Sequence, residues 1–536
     1  MALTITPLNF AQLSACDALT DADGTWSGNS AGTEGDFFKE GIGCLGFTIR
    51  TVGNNDILYT KASGTWDLSG IKHLRIWFLC STLNAINVDD PADPANAGIQ
   101  FFVGDATYTA YYKVSGKTSY PGGWYNLVVD LSRAADSGTK PTGMLCTKIG
   151  IRMNMTTAPK NVDNVWIDNL ILCDGLSCDS DTQFGFQEIY DKDNATTGAW
   201  GVIRKIGGVY YLTGKIQIGV GSGSTPVDFK DTSQAVIFED RKVNSALYGI
   251  NAVGNSNTTK LQLGDKPGDA GISGCVIRTQ NLAQTPKFTI GASSLGVNDV
   301  FKLYGSNFLD AGIVTLPPNT ANREVLNCNF ERCGEVLPNT CVVKYCNFIS
   351  ADDRALRISS ISHNVTDSNF ISCPKAVHIP AAGTYGFNAL MFSSNTYDIE
   401  NSSAGGAVYI DRTNASNPDP AKLLNSGAPL GTTTINPLSV YLTIYVEDEA
   451  GAAVVGASVA IYKASDMTQL MNELTVAWDS KARAQEAYSY TVDTPIIVRV
   501  RKSSTGTRYS PLSTTGTITS SGFTLTAVLT EDLALV

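Results

Sequence analysis

Asp352-Asp353-Arg354, with Arg357 and His363 close behind, is the densest set of side chains in this 536-residue chain that could move a proton. Two carboxyls flanking a bond can cleave a glycosidic linkage, one protonating the leaving oxygen while the other activates water or attacks. That chemistry needs both groups in one groove. Adjacent residues on a strand project to opposite faces, so a solvated turn with a local Asp–Arg pair is the simpler reading of Asp352 and Asp353. A second set of residues could bind rather than cut. Trp26, Tyr111, Tyr112, Tyr120 and Trp124 are rings of the kind that stack on pyranose faces, with core packing as the competing fate. His73, His363 and His378 are the only histidines, which nearly excludes a His-rich metal site. P-loop and H-E-x-x-H motifs are absent, and no dinucleotide fingerprint follows a strand-like run.

The elements that would carry these residues read as β throughout. Charged residues are 17% of the chain and glycines number 50, a composition poorer in charge and richer in turns than an average domain. Lys plus Arg is 39 against 50 Asp plus Glu, a net charge of −11, which argues against binding nucleic acid through its phosphates. The opening MALTITPLNFAQLSACDAL has neither a basic nor an apolar signal region, so no secretory signal is expected. No apolar run approaches the ~18 residues of a membrane span, and no membrane insertion is expected. Twelve cysteines include three C-x4-C pairs (Cys173/Cys178, Cys328/Cys333, Cys341/Cys346). The readings, in order, are buried thiols, one or more disulfides, and metal.

Residues 1–175 hold short alternating runs broken by Gly, Pro, Asn and Asp, the pattern of an antiparallel sandwich. Gly123-Trp124-Tyr125-Asn126-Leu127-Val128-Val129-Asp130-Leu131-Ser132, then Ile149-Gly150-Ile151, then Val165-Trp166-Ile167-Asp168-Asn169-Leu170 follow in order. This resembles the jelly-roll family that includes many carbohydrate-binding modules. The resemblance implies sugar contact through the aromatics above and, at Asp168, a structural Ca2+; no other cofactor is expected. A turn-facing Asp at a strand end is the plainer reading of Asp168.

Residues 176–410 have a different texture, with shorter strand-like pieces spaced by Asn and Gly. Asn307-Phe308, Asn329-Phe330, Asn347-Phe348 and Asn369-Phe370 recur at intervals of 22, 18 and 22 residues, and a degenerate copy is expected at Ser394-Asn395-Thr396. A period near 22 is what one coil of a right-handed parallel β-helix requires. Each Phe would stack on its predecessor, and each Asn would form a ladder at a corner. On such a coil Asp352, Asp353 and His363 resemble the paired Asp and later His of the polygalacturonase family, but without its Gly-His-Gly turn and third Asp.

Residues 411–438 read as a linker rich in Pro, Asn, Gly and Thr, with a helical turn at 421–424. In 439–536, Val446, Asp448, Gly451, Val454, Gly456, Ala457, Val459 and Ile461 resemble the transthyretin-like or carboxypeptidase-regulatory-like sandwich, with a short helix expected at 467–478. The fold class expected is thus all-β: jelly roll, right-handed parallel β-helix, and a small Ig- or transthyretin-like sandwich. This modular rod resembles bacteriophage tail-fibre, spike and capsid-decoration proteins. The resemblance implies a non-enzymatic virion structural protein on the particle surface. Its partners would be other virion proteins, host-surface glycan and further copies of itself, a trimer being favoured. A polysaccharide-degrading tailspike and a bacterial surface adhesin are the alternatives.

Overall fold

A computed structural model describes residues 2–49, 52–70, 73–80, 98–115, 123–155, 163–195, 198–221, 226–233, 235–239, 248–254, 258–267, 273–282, 287–318, 321–503 and 506–532. The all-β expectation holds: among them stand one α-helix, Phe186–Asp193, and a short 3-10 turn, Thr142–Met144, and every other regular element is a strand. The chain forms two compact units, Met1–Gly334 and Glu335–Val536.

The first unit opens with two facing antiparallel sheets. One runs, in spatial order, Ser137–Gly138, Thr109–Ser115, Ile99–Gly104, Lys148–Met155, Gly53–Lys61 and Gly24–Ser27. The other runs Tyr125–Asp130, His73–Cys80, Asp163–Leu172, Cys44–Ile49 and Gly32–Glu34, with Ala11–Ser14 also on Asp163–Leu172. Alternation places Leu74, Ile76 and Phe78 of one sheet and Ile149, Ile151, Phe101 and Val103 of the other in a shared core.

Beyond residue 175 the pairing turns parallel. Gly175–Asp179, Lys215–Ile218, Gly249–Val253, Thr289–Ser293 and Val314–Thr315 lie side by side, each contributed by a later pass of the chain. The N-terminal strand Thr4–Leu8 closes the exposed edge of this row, antiparallel to Gly175–Asp179, which protects it from pairing with other chains. The helix buries Phe186 against Phe229, ring centroids 5.4 Å apart. In a second row Asn307 pairs with Asn329 and Phe308 with Phe330. The two rings stack at 5.2 Å, and Asn329 Nδ2 donates to Asn307 Oδ1 at 2.6 Å.

The second unit repeats this geometry. Asn347 pairs with Asn369 and Phe348 with Phe370; the amides bond at 2.8 Å and the rings stack at 5.0 Å. The next copy is Met391-Phe392, not Ser394-Asn395-Thr396: Phe392 follows Phe370 in register and stacks on it at 5.1 Å. Asn395 fills the slot that Cys373 occupies one coil earlier. Cys373 Sγ donates to Phe348 O, and Asn395 Nδ2 donates to Phe370 O, each reaching back 25 residues. The corners are equally regular. Asn327, Tyr345, Asp367 and Ala389, two residues before each Asn or Met, all have φ between 50° and 56°. Arg332, Ser350, Ser372 and Ser394, three residues after it, have φ of 49–57°. Paired left-handed residues bracket each Asn-Phe or Met-Phe step and bend the chain on either side of it.

The interval expected as a linker is structured. Leu423–Asn425 and Thr432–Ile435 pair parallel with Tyr397–Asn401 and Ala407–Thr413, so coiling runs through residue 435 and no helical turn forms at 421–424. The β-branched run Thr432-Thr433-Thr434-Ile435 suits a strand, and the Pro and Gly residues fall in its corners. The final sandwich packs Val476–Trp478, Lys481–Tyr490, Leu438–Asp448 and Phe523–Leu529 against Gln469–Leu474, Ser458–Lys463, Thr494–Lys502 and Tyr509–Ile518. The helix expected at 467–478 is two strands in different sheets instead: Gln469–Leu474 completes the ladder beside Ser458–Lys463, and Val476–Trp478 pairs with Lys481–Tyr490. Asp448 Oδ1 accepts the Ala450 and Ala452 N–H groups at 2.9 and 2.8 Å, making the turn that the sequence pattern indicated. Arg412 pins coils to sandwich, donating to the Asn436, Tyr490 and Thr491 carbonyls.

Candidate functional site

The outer face of the six-stranded sheet gathers a polar and aromatic platform. Tyr111 faces Phe102 across one strand pair, and Arg152 stands opposite both Gln100 and Asp56 in the next two. Strand alternation puts these side chains on the face away from the core. Gly150 lies opposite Phe102 and leaves no room for a Cβ, so the Phe102 ring can lie across that strand. Phe102 and Tyr111 meet at 5.9 Å.

Arg152 orders the platform. Its Nε and Nη2 donate to Asp56 Oδ1 and Oδ2 at 2.7 and 2.8 Å, a bidentate pair, while its guanidinium lies 4.5 Å from the Tyr111 ring centroid. The Asp56 hydrogen bonds hold the Arg152 pKa above its ordinary value. Next along the same strands, Asn154 Nδ2 donates to Asn54 Oδ1 at 3.1 Å. The result is a ring of fixed orientation beside carboxylate, guanidinium and amide groups, with the charges balanced. Such a surface can stack the C–H face of a pyranose and hydrogen-bond its hydroxyls.

The other aromatic candidates divide. Trp26 is 3% exposed, stacks on Tyr59 at 4.7 Å and donates from Nε1 to Ser14 Oγ. Tyr112 is fully buried. Both are core residues because alternation turns them inward. Trp124 is half-buried and lines a cavity elsewhere in the unit. Tyr120 lies outside the described residues.

Asp168 is buried, and its Oδ2 accepts the Lys39 and Glu40 backbone N–H groups at 2.6 and 2.8 Å. Burial raises its pKa to about 7 against the pull of those donors. Ca2+ takes six to eight oxygens. Here N–H donors face the carboxylate, and no cluster of three or more His, Cys, Asp or Glu able to hold a metal occurs among the described residues. The surroundings do not fit calcium. All twelve cysteines are buried thiols.

The acid/base candidates are not brought together. Asp352 and Asp353 are exposed, and Asp353 pairs with Lys375 Nζ at 3.0 Å. His363 turns toward the coil interior, edge-on to Phe387, with Nδ1 accepting the Val365 N–H. Burial lowers its pKa to about 4. The residues are close in sequence, but a coil corner separates their directions.

A different polar row escaped the sequence reading. His378, 2% exposed, meets Glu335 Oε1 through Nδ1 at 2.5 Å and Ser402 Oγ through Nε2 at 2.7 Å. The order acid–imidazole–hydroxyl is that of a nucleophilic triad. However, the Ser402 N–H, the nearest candidate oxyanion donor, is already bonded to Ile379 O, so the row lacks the electrostatic half of that machinery. Beside it, Glu400 accepts from Arg354 at 2.5 and 2.9 Å and from Ser426 at 2.7 Å. Burial pushes the Glu400 carboxyl up, but these donors outweigh it and hold its pKa at about 2. The usable signal was register: Arg357, His378 and Glu400 share one phase in successive coils.

No protein-family model matches the chain, and no curated protein does. Among solved structures, the chain is similar to an exo-beta-agarase at TM-score 0.22 and 11% identity, covering 31% of this chain and 25% of that one. It thus spans a quarter of the agarase's length. A family 11 carbohydrate-binding module from Clostridium thermocellum in complex with a beta-1,3-1,4-mixed-linked tetrasaccharide matches at 0.21 and 10%, over 31% of this chain and 95% of that one. A further match, at 0.18 and 14%, is SGBP-B from a xyloglucan utilization locus in Bacteroides uniformis, over 28% of this chain and 48% of that one.

Proposed function

We propose that this protein binds neutral glycan through the outer face of its first sandwich and acts as a non-enzymatic adhesive component. The carrying observation is the Tyr111 ring held beside Arg152, which is itself clamped by Asp56. Opposite charges cancel within the platform, which favours hydroxyl-rich, uncharged ligands over ionic ones. In this reading the parallel coils are a right-handed β-helix that serves as a stiff spacer. Weak contacts repeated over several copies, three in the favoured assembly, supply avidity. The setting we propose is the surface of a bacteriophage particle, as fibre, spike or decoration protein; the domain order of sandwich, coils and small sandwich supports that choice.

The test is retention of the full chain on an array of neutral oligosaccharides. Tyr111→Ala should weaken retention by roughly tenfold or more, the scale of losing a stacked aromatic contact, with an unchanged melting temperature. Equal retention of wild type and variant would refute the platform.

A further inference from the structure

The first unit contains a cavity of about 360 Å3 whose lining includes Lys39, Trp124, Asn126, Arg204, Lys205 and Tyr211. That size falls within the range of small-ligand sites, about 300–1,000 Å3. Asn126 is 7% exposed, yet among the described residues neither its amide oxygen nor its amide nitrogen has a hydrogen-bond partner. A buried amide left unbonded costs free energy that native proteins rarely leave uncompensated. Gly201 approaches so closely that a Cβ there would strike the Asn126 amide, so the backbone fixes the amide in place without satisfying it.

The lining holds three cations, Lys39, Arg204 and Lys205, against one carboxylate, Glu239, in a chain whose net charge is −11. Arg204 is neutralised by Glu239. Lys205 meets the neutral Gln187 amide oxygen and the Tyr210 ring, with no carboxylate in ion-pair range among the described residues. Lys39 lies 4.6 Å over the Trp77 ring and donates to Asn194 O at 3.3 Å, with no carboxylate in ion-pair range among the described residues. Its backbone N–H is held by Asp168, so the ammonium is aimed from a fixed base. Burial lowers the Lys39 pKa, outweighing the pull of the Asp193 and Asp168 carboxylates.

We propose that this cavity binds an acidic sugar residue, a hexuronate or similar carboxylate-bearing pyranose. The Lys39 ammonium takes the carboxylate, Asn126 donates to and accepts from adjacent ring hydroxyls, and the Trp124 and Tyr211 rings cover the apolar face. This site is distinct from the charge-balanced Tyr111 platform and stands or falls without it.

The experiment is calorimetric titration of the full chain with D-galacturonate and D-glucuronate, beside galactose and glucose as neutral counterparts. The acids should bind at least about tenfold more tightly than the neutral sugars. Lys39→Gln, which keeps most of the stem, should remove that preference. Asn126→Ala should weaken the acids and leave the fold intact, because no hydrogen bond is lost in the unliganded protein. Tyr111→Ala should leave uronate binding unchanged. Equal affinity for acid and neutral sugar, absence of uronate binding, or indifference to both Lys39→Gln and Asn126→Ala would overturn the proposal. Loss of uronate binding in Tyr111→Ala would overturn its independence from the platform.

Discussion

Asn329 donates a side-chain N–H to Asn307 Oδ1, 22 residues earlier in the chain, while the ring beside it, Phe330, stacks on Phe308. One step of the sequence thus satisfies an amide and buries a ring. The same pair of contacts recurs between Asn369-Phe370 and Asn347-Phe348. The energetic division is unequal. The amide ladder prevents a loss at each corner, whereas the rings supply the gain by leaving water.

Phe370 is the sharpest test of that division, since it is fully buried between Phe348 and Phe392. Phe370→Ala should destabilise the second unit by about 3–5 kcal/mol, the range for a buried Phe truncated to leave a cavity. Denaturant unfolding followed by hydrogen exchange in residues 365–393 would read it. A loss under about 1 kcal/mol would mean that the ring column is not what holds the coils.

The corners make a prediction of opposite sign. Ala389 has φ 52°, where an L-residue with a Cβ pays roughly 1–2 kcal/mol. Ala389→Gly removes that strain and increases the freedom of the unfolded chain, a cost of about 0.4–1 kcal/mol. The net expectation is a gain of a few tenths to about 1 kcal/mol, seen as a higher denaturation midpoint. Destabilisation would show that the corner is held by the Ala389 methyl group and not merely tolerated.

How much of this was legible depended on periodicity. The Asn-Phe step is printed in the sequence because the same contact is made repeatedly, and Asp448-Gly451 is legible because a turn is local. The fifth copy was misplaced at Asn395 because Met391 replaces the ladder Asn while Asn395 takes the slot of Cys373. Phe392, three residues before Asn395 as Phe370 is before Cys373, was the guide to the phase. The row Glu335–His378–Ser402 was hidden because its members meet across coils, 43 and 24 residues apart. Of the aromatic candidates, pattern could not separate Tyr111 from Tyr112. They are neighbours on one strand, and only the identity of the core-facing side decides which ring points outward.

Asp168 and Asp193 in the first unit and Glu400 in the second should answer pH in opposite directions. Burial raises both Asp168 and Asp193 in the first unit to about 7, against the backbone N–H groups that each accepts. In the unfolded chain these carboxyls titrate near 4. Between those values the folded state binds more protons, so the stability of the first unit should fall as pH rises from about 4 to about 7. The ceiling is about 1.4 kcal/mol per pH unit for each carboxyl. Glu400 in the second unit is depressed to about 2 from 4.5; its contribution is fully present above pH 4.5 and is lost as pH falls toward 2. Hydrogen exchange read separately in residues 163–172 and 397–401 across pH 3–8 would resolve the two trends. Asp168→Asn should flatten the first trend and leave the second untouched. An amide oxygen can still accept from Lys39 and Glu40, while its NH2 replaces Oδ1, which has no partner among the described residues. If Asp168→Asn lowers stability at pH 8, Asp168 is ionised in the folded protein at a cost already met by its donors, and burial is not what governs its titration.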